Sequence, residues 1–492
     1  MDNDRRIRVR YAPSPTGRLH VGGVRTALFN WLFARKNGGT FVLRIEDTDL
    51  ERSTEESVEQ LKGSMRWIGL DWDEGPEIGG PYPPYRQTER FDLYREAAKK
   101  LRDSGAAYYD FATSEELAGL RERTRAEGRQ PIYTGGEYRE MDPDEARERI
   151  EAGEPHTVRF KTPREGQTVV EDMIRGPVTF ENENLEDFVL MKSTDTPTYN
   201  FAATVDDAAM EISHVIRGDD HLSNTPRQIL IHEALGNPLP AFAHVPQVLG
   251  PDKKKLSKRH GAASVEDFAE RGYLPEALFN YLALLGAGYA ADEEIFTPEE
   301  LAERFRIDRV SGNPAILDEK KLRAVNSVYM RRKSPEELAA LAAPMLLESG
   351  AVTEEELDMP RLREIMDLLK ERIALTTEIP DSVGYFYGGA LDYDEAEFEK
   401  QFGKEFVREN FPVLVERLTA LPEWTEEAIE EVVRGLTAEK EKGARHLIHP
   451  LRFAVTGRTV SAGLFETMQL LGRDRSLLRA EDAATKMQRL PV

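Results

Sequence analysis

One short stretch near the N-terminus restricts the folds open to this 492-residue chain more than any other. Ile7 to Tyr11 alternate apolar and charged residues, the pattern of a strand. Pro13-Ser-Pro-Thr-Gly17 follows as a loop. Val24, Ala27, Leu28, Trp31 and Leu32 then recur at helical spacing until Asn37-Gly-Gly39 supplies a stop. Phe41 to Ile45 is short and rich in β-formers. A strand, a loop, a helix and a second strand in that order open a doubly wound parallel α/β sheet. Ligands of such sheets sit outside the carboxyl ends of the strands, where the Pro/Gly loop would lie.

The pattern breaks between about residues 81 and 200. Gly79-Gly-Pro-Tyr-Pro-Pro84 forms a joint, a helix is expected around Arg90–Ser104, and a polar helix at Ser114–Arg125. Strand-like runs at Thr157–Lys161, Val169–Met173 and Phe188–Lys192 complete an α+β insertion with its own small core. Sheet-type patterning returns at Glu211–Arg217. A helix opened by Asn224-Thr-Pro226 and closed by Gly236 follows, then an apolar strand from Phe242 to Leu249. Beyond about residue 265 the patterns are almost wholly helical, with joints at Ser334-Pro335, Gly388-Gly389 and Leu421-Pro422. The expected organisation is a Rossmann-like domain over 1–84 and 201–240, the insertion 85–200, a region 241–333, and two all-α subdomains, 334–390 and 391–492.

Composition removes several chemistries. With no cysteine, disulfides, cysteine–zinc sites and thiol nucleophiles are out. Nine scattered histidines show no metal-type spacing, so no protein-held metal is expected. No apolar run nears the roughly 20 residues that cross a bilayer, and no signal segment precedes the first strand. No membrane partner is therefore expected, and a cytoplasmic location is. A net charge of −23 disfavours indiscriminate nucleic-acid binding. From Lys440 to Arg489, however, ten Lys and Arg stand against five Asp and Glu. That tract fits either a surface that grips a polyanion or a solvated helix face.

Two stretches more than two hundred residues apart carry the chemistry. In the first, Pro13 and Pro15 stiffen the turn, while Gly17, Gly22 and Gly23 leave room for a ligand at the backbone. The helix that follows aims its unpaired N–H groups and positive dipole end at the loop, which suits a phosphate chain. His20 is placed to donate a hydrogen bond to a phosphoryl oxygen. The second stretch is Asp252-Lys-Lys-Lys-Leu-Ser-Lys-Arg-His260. It is either a solvated basic loop or a cationic clamp closing over a leaving pyrophosphate. Together the two describe a site that holds ATP from both sides of its phosphates.

His20-Val-Gly-Gly23 and Lys255-Leu-Ser-Lys-Arg259 resemble the two ATP motifs of class I aminoacyl-tRNA synthetases. Ala12-Pro-Ser-Pro-Thr-Gly17, Arg44-Ile-Glu-Asp-Thr-Asp49, Tyr85-Arg-Gln-Thr-Glu-Arg90, Pro197-Thr-Tyr-Asn-Phe201 and His214-Val-Ile-Arg-Gly218 narrow this to the bacterial-type glutamyl-tRNA synthetases. The resemblance runs nearly the whole chain in order. It implies activation of L-glutamate by ATP with Mg2+ and transfer to the 3′ end of tRNA(Glu), with tRNA present before activation, by a monomer. It also implies that the insertion binds the acceptor end, that 241–333 contacts the stem, and that the helical subdomains read the anticodon.

By the same resemblance the catalytic residues are His20, Lys255 and Lys258. The ATP site comprises Pro13, Ser14, Pro15, Thr16, Gly17, His20, Gly22, Gly23, Asp220, Leu256, Ser257, Lys258 and Arg259. Glutamate is held by Arg10, Ala12, Ser14, Glu46, Tyr199 and Arg217, with Arg10, Arg217 and Tyr199 on the side-chain carboxylate. Asp47 and Asp49 read as helix-capping residues, and a metal held by these acids is the lesser alternative. Some members carry a zinc knob in the insertion; the matching positions here are Asp110, Ala112, Glu137 and Arg139, so no zinc is expected. Arg372 falls near an anticodon-checking arginine of the family. The rivals are an enzyme that also charges tRNA(Gln) and a non-catalytic RNA-binding paralogue. A glutaminyl enzyme, with a β-rich C-terminal region, fits the helical patterns poorly.

Overall fold

The computed structural model describes residues 6–15, 17–49, 53–257, 259, 263–289 and 293–490. It divides into two compact units, residues 1–268 with 278–319 and residues 269–277 with 320–492.

In the first unit, β1 (Arg8–Tyr11) leads through the Pro/Gly loop into the helix Val21–Lys36. The chain returns as β2 (Thr40–Leu43), parallel to β1 with Arg8 opposite Thr40. Arg35 and Lys36 suit the dipole at the helix end, and Gly38 turns the chain away at φ +58°. The later strands are β3 (Ala107–Asp110), β4 (Thr157–Phe160), β5 (Gln167–Asp172), β6 (Gly176–Glu181), β7 (Val189–Met191), β8 (His214–Gly218), β9 (Ala241–Val245), β10 (Val248–Leu249) and β11 (Ala315–Ile316). β8 and β9 are parallel, as are β9 and β5. Ser213 ties this set to β1, its N–H donating to the Arg8 carbonyl at 2.9 Å and its Oγ accepting from Arg8 N–H at 2.8 Å. Read across, the order is β2-β1-β8-β9-β5-β6, with only the hairpin partner β6 antiparallel.

Three features were not legible in the sequence, and the last two depart from its expectations. In β1, read from the sequence only as a strand, Arg8 and Arg10 are both buried. Arg8 pairs with Glu74 at 2.7 and 2.9 Å and lies over the Tyr82 ring, while Arg10 pairs with Asp207 at 3.0 Å. Acids from distant segments thus let charged residues occupy an interior face. Next, the insertion has no core of its own. Tyr94, Leu101, Phe160 and Leu190 share one cluster with Phe201, Val205, Leu230 and Ile231 of the flanking helices. A three-stranded sheet β3-β4-β7 has one apolar face, and it needs those helices to cover it. Finally, the hairpin β5–β6, which sequence reading places inside the insertion, extends the main sheet.

Ion pairs cross-link the insertion. Asp110 accepts from Arg159 Nε and from Tyr133 OH (2.8 Å), and Asp187 accepts from Arg139, Arg164 (2.7 Å) and Tyr108 OH (3.0 Å). Among the described residues no group of three or more His, Cys, Asp or Glu is placed to hold a metal, and no helix is long and apolar enough to cross a membrane.

The second unit is helical, with a core that includes Phe402, Phe411, Leu436, Leu451 and Met468. Arg479, wholly buried, donates to the carbonyls of Tyr385, Gly388, Gly389 and Val455. One member of the basic tract is therefore an internal brace rather than a surface charge. Arg372 is exposed just beyond the helix Met359–Leu369, close enough to Arg452 for the two charges to repel.

Candidate active site

A cavity of about 720 Å³ opens at the carboxyl ends of the four parallel strands β1, β2, β8 and β9. Arg10, Ala12, Pro13 and Ser14 reach it from the end of β1, and Glu46 from beyond β2. Arg217, Asp220 and His221 come from the end of β8, and Pro246 and Gln247 from beyond β9. Tyr199 enters from the first residue of the helix Tyr199–Ala209. All six residues assigned to glutamate line this one space, as do Pro13, Gly17, His20, Gly22, Gly23 and Asp220 of the nucleotide set and Lys255 of the catalytic set. Leu256, Ser257 and Arg259 line an adjoining cavity of about 460 Å³, which shares His20 and Lys255 with the first. Pro15 is buried and lines neither. Thr16, Lys258 and His260 lie outside the described residues.

The two distant stretches meet at His20. Its Nδ1 accepts from Gly22 N–H at 3.2 Å, so Nε2 carries the proton and donates to the Leu256 carbonyl at 3.0 Å. Burial lowers the His20 pKa, and Lys255 adds to this against the pull of the Leu256 carbonyl, so the ring is neutral near pH 7. The basic loop is pinned on both sides of this point. Leu256 N–H bonds to Val248, and Val21 N–H bonds to Ala263 at 2.9 Å. The start of the helix is consequently less open than the sequence suggests, because Ala263 and His20 already take its first two N–H groups. Two glycines also have other reasons. Gly17 adopts φ +123°, and a side chain on Gly23 would strike the Tyr11 hydroxyl at 2.8 Å.

On the amino-acid side the site is a buried charge network. Asp207 accepts from Arg10 Nε at 3.0 Å and from Arg44 Nη1 at 2.7 Å, and Arg44 Nη2 donates to Glu46 at 2.9 Å. Burial alone would push the Asp207 carboxyl up, but Arg10 and Arg44 hold it down at about 2. Burial raises the Glu46 pKa, against the pull of Arg44. A carboxyl depressed in the fold stabilises it fully above its unfolded pKa and loses that contribution on further acidification. The stability difference between wild type and Asp207→Asn is therefore expected to shrink as pH falls from about 4 to about 2. Thermal melts across that window measure it.

Arg217 differs from its neighbours. Its Nε donates to His244 Nε2 (3.2 Å), its Nη2 to Thr225 Oγ1 (2.8 Å) and its Nη1 to Tyr199 OH (3.5 Å), all neutral acceptors. No carboxylate among the described residues pairs with it, and burial, helped by the nearby Arg10 charge, lowers its pKa. Among the described residues Arg10 and Arg44 thus have carboxylate partners in Glu46, Asp207 and Asp206, whereas Arg217 touches none. Arg90 and Asp206, paired at 2.6 Å, cancel each other behind them.

Several participants escaped sequence reading. His221 lines the cavity, its ring 5.3 Å from that of Tyr199, and burial together with Arg217 pushes its pKa down to about 4. Asp206, Asp207, Asp172 and His244 lie within helix and strand patterns that carry no motif. Asp47 does not cap a helix. Thr54 caps the helix Glu55–Trp67, and Asp47 instead accepts from the Thr88 backbone and hydroxyl, both at 2.9 Å.

Residues 6–324 match the family described as tRNA synthetases class I (E and Q), catalytic domain, and residues 337–484 match an anticodon binding domain. The chain is 77% identical over 490 residues to Glutamate–tRNA ligase 2 of Rubrobacter xylanophilus, covering 99% of each. It is 47% identical over 481 residues to Glutamate–tRNA ligase of Moorella thermoacetica, covering 97% of this chain and 98% of that one. Its structure superposes with a TM-score of 0.90 on a glutamate tRNA ligase from Elizabethkingia meningosepticum crystallised in complex with its amino acid. That protein is 33% identical, with 98% of this chain and 100% of that one covered. With a catalytic half and a helical half both matched in register, this chain belongs to the class I tRNA synthetases of the E and Q type.

Proposed function

We propose that this protein is a glutamate–tRNA ligase that activates L-glutamate with MgATP and transfers it to the 3′ end of tRNA(Glu). The observation that carries this reading is Arg217, a buried cation at the cavity floor that touches no described carboxylate. L-Glutamate brings two carboxylates and one ammonium, a net charge of about −1, and complements it. Arg217 keeps two of its five N–H groups, and Arg10 three, for the side-chain carboxylate, with Tyr199 beside them. Glu46 and Ser14 take the ammonium. The glutamate α-carboxylate then faces His20 and Lys255, where ATP lies across Pro13, Ser14, Gly17, Gly22, Gly23 and Asp220.

The reaction proceeds by in-line attack of the α-carboxylate on the α-phosphorus, releasing pyrophosphate. The terminal 2′-OH of the tRNA then attacks the activated carbonyl. His20 Nε2–H, now bound to Leu256, is exchanged to a phosphoryl oxygen, and Lys255 and Lys258 supply positive charge to the phosphates. Magnesium arrives with the triphosphate and is held mainly by phosphate oxygens. The domain roles expected from the sequence (acceptor end, stem and anticodon, with Arg372 at the last), the monomeric state and the cytoplasmic location belong to the same proposal.

Charging assays with purified tRNA(Glu) and tRNA(Gln) test it. Glutamylation of tRNA(Glu) is expected, and its absence with active tRNA overturns the reading; the tRNA(Gln) arm tells whether both are charged. His20→Ala is expected to lower kcat for adenylate formation by about 10²–10³-fold with little change in glutamate KM. Pyrophosphate exchange reads both parameters.

A further inference from the structure

Arg217 is aimed by a chain of two buried groups. Asp172 ends β5 with its side chain wholly buried, and its four acceptor positions are filled. Oδ1 takes Ile174 N–H (2.9 Å) and Arg175 N–H (2.8 Å), and Oδ2 takes His244 N–H (3.0 Å) and His244 Nδ1–H (2.6 Å). An ionised carboxylate only accepts, so the His244 proton must sit on Nδ1. Burial and Arg217 lower the His244 pKa against the pull of Asp172, which keeps the ring neutral. Nε2 is then a lone pair, and it faces Arg217 Nε–H at 3.2 Å and the Thr225 hydroxyl at 2.9 Å. Were the other tautomer present, two N–H groups would confront each other across that gap.

We propose that Asp172 and His244 are positioning residues for the amino-acid substrate: Asp172 fixes the His244 tautomer, and His244 holds the Arg217 fork toward the substrate carboxylate. This rests on the glutamate reading of the site. The support is an uncharged acceptor, so it orients the guanidinium without neutralising it. A carboxylate in its place would take up the charge that the substrate needs. Because glutamine presents an amide where glutamate presents a second acceptor, a guanidinium held at fixed orientation also sharpens rejection of glutamine. Nothing in the local sequence of 172 or 244 signals this, since each reads as an ordinary strand residue.

Asp172→Asn keeps shape while removing the acceptor-only character that dictates the tautomer. Measured by pyrophosphate exchange with tRNA(Glu) present, its glutamate KM is expected to rise about 10- to 100-fold while ATP KM stays within about 3-fold. The preference for glutamate over glutamine is expected to fall with it. His244→Gln supplies an amide oxygen to Arg217 that needs no tautomer, so adding Asp172→Asn to His244→Gln should change glutamate KM little. An unchanged glutamate KM in Asp172→Asn overturns the proposal. So does a rise in glutamate and ATP KM together with a lowered Tm, or an additive double variant. If Asp172→Asn does not fold, a His244→Gln protein with wild-type glutamate KM and amino-acid preference supports the proposal, since the acceptor is then kept. In that case a His244→Gln KM as high as that of His244→Ala overturns it. A wild type that does not activate glutamate is a separate result, because it refutes the functional reading itself before any variant is compared.

Discussion

Arg217→Met yields a folded protein whose kcat/KM for glutamate is about 10³-fold below wild type. Arg217 is a buried cation in contact with no described carboxylate, so its removal takes from the floor of the cavity the charge that meets the substrate carboxylate. The substrate carboxylate then enters a buried site with no charge of its own to meet. Breaking a buried pair by removing one partner costs about 3–5 kcal/mol, and 1.4 kcal/mol is a factor of ten. Stability should move the other way or not at all. In the free protein the Arg217 charge is held against desolvation by neutral acceptors only, so the variant is expected to melt no lower than wild type. Arg217→Lys restores charge without the planar fork and should recover only part of the loss. Exchange kinetics and thermal melts on the same preparations separate binding from folding.

Asp206→Ala has the largest expected effect on stability. This carboxylate is fully buried and accepts from Arg90 Nε at 2.6 Å, Gln87 at 2.8 Å and Tyr94 OH at 2.9 Å, with Arg44 Nε 3.7 Å away. Its removal leaves Arg90 buried beside two orphaned donors, for which about 3–5 kcal/mol is expected. The Arg90 guanidinium also holds the Pro84 carbonyl at 2.7 Å, so the joint at 79–84 loosens with it. Urea unfolding measures the change, and a loss below about 1 kcal/mol contradicts this account of the network.

The part of this molecule that was legible in the sequence is the part written in short local patterns. The β1–loop–helix–β2 unit, the cap at Asn37 and the helix between Asn224 and Gly236 are each set by neighbouring residues. The convergence of His20 with the lysine loop followed from two motifs that each favour phosphate. What could not be read is what forms between distant segments. The buried pairing of Arg8 and Arg10 could not be seen, because Glu74 and Asp207 lie 66 and 197 residues away and are invisible to a periodicity argument. The same holds for β5, whose place in the main sheet is set by pairing with β9. Asp172 and His244 carry no motif, and only their shared contact gives them a role.

One cavity, floored by the buried Arg217 cation and flanked by His20 and the basic loop, activates glutamate with ATP. ATP–pyrophosphate exchange in the presence of tRNA(Glu), run with L-glutamate and L-glutamine side by side, tests it most directly. The account predicts exchange with glutamate and a kcat/KM for glutamine lower by about 10³-fold or more. Equal exchange with the two amino acids, or none with glutamate, would contradict it.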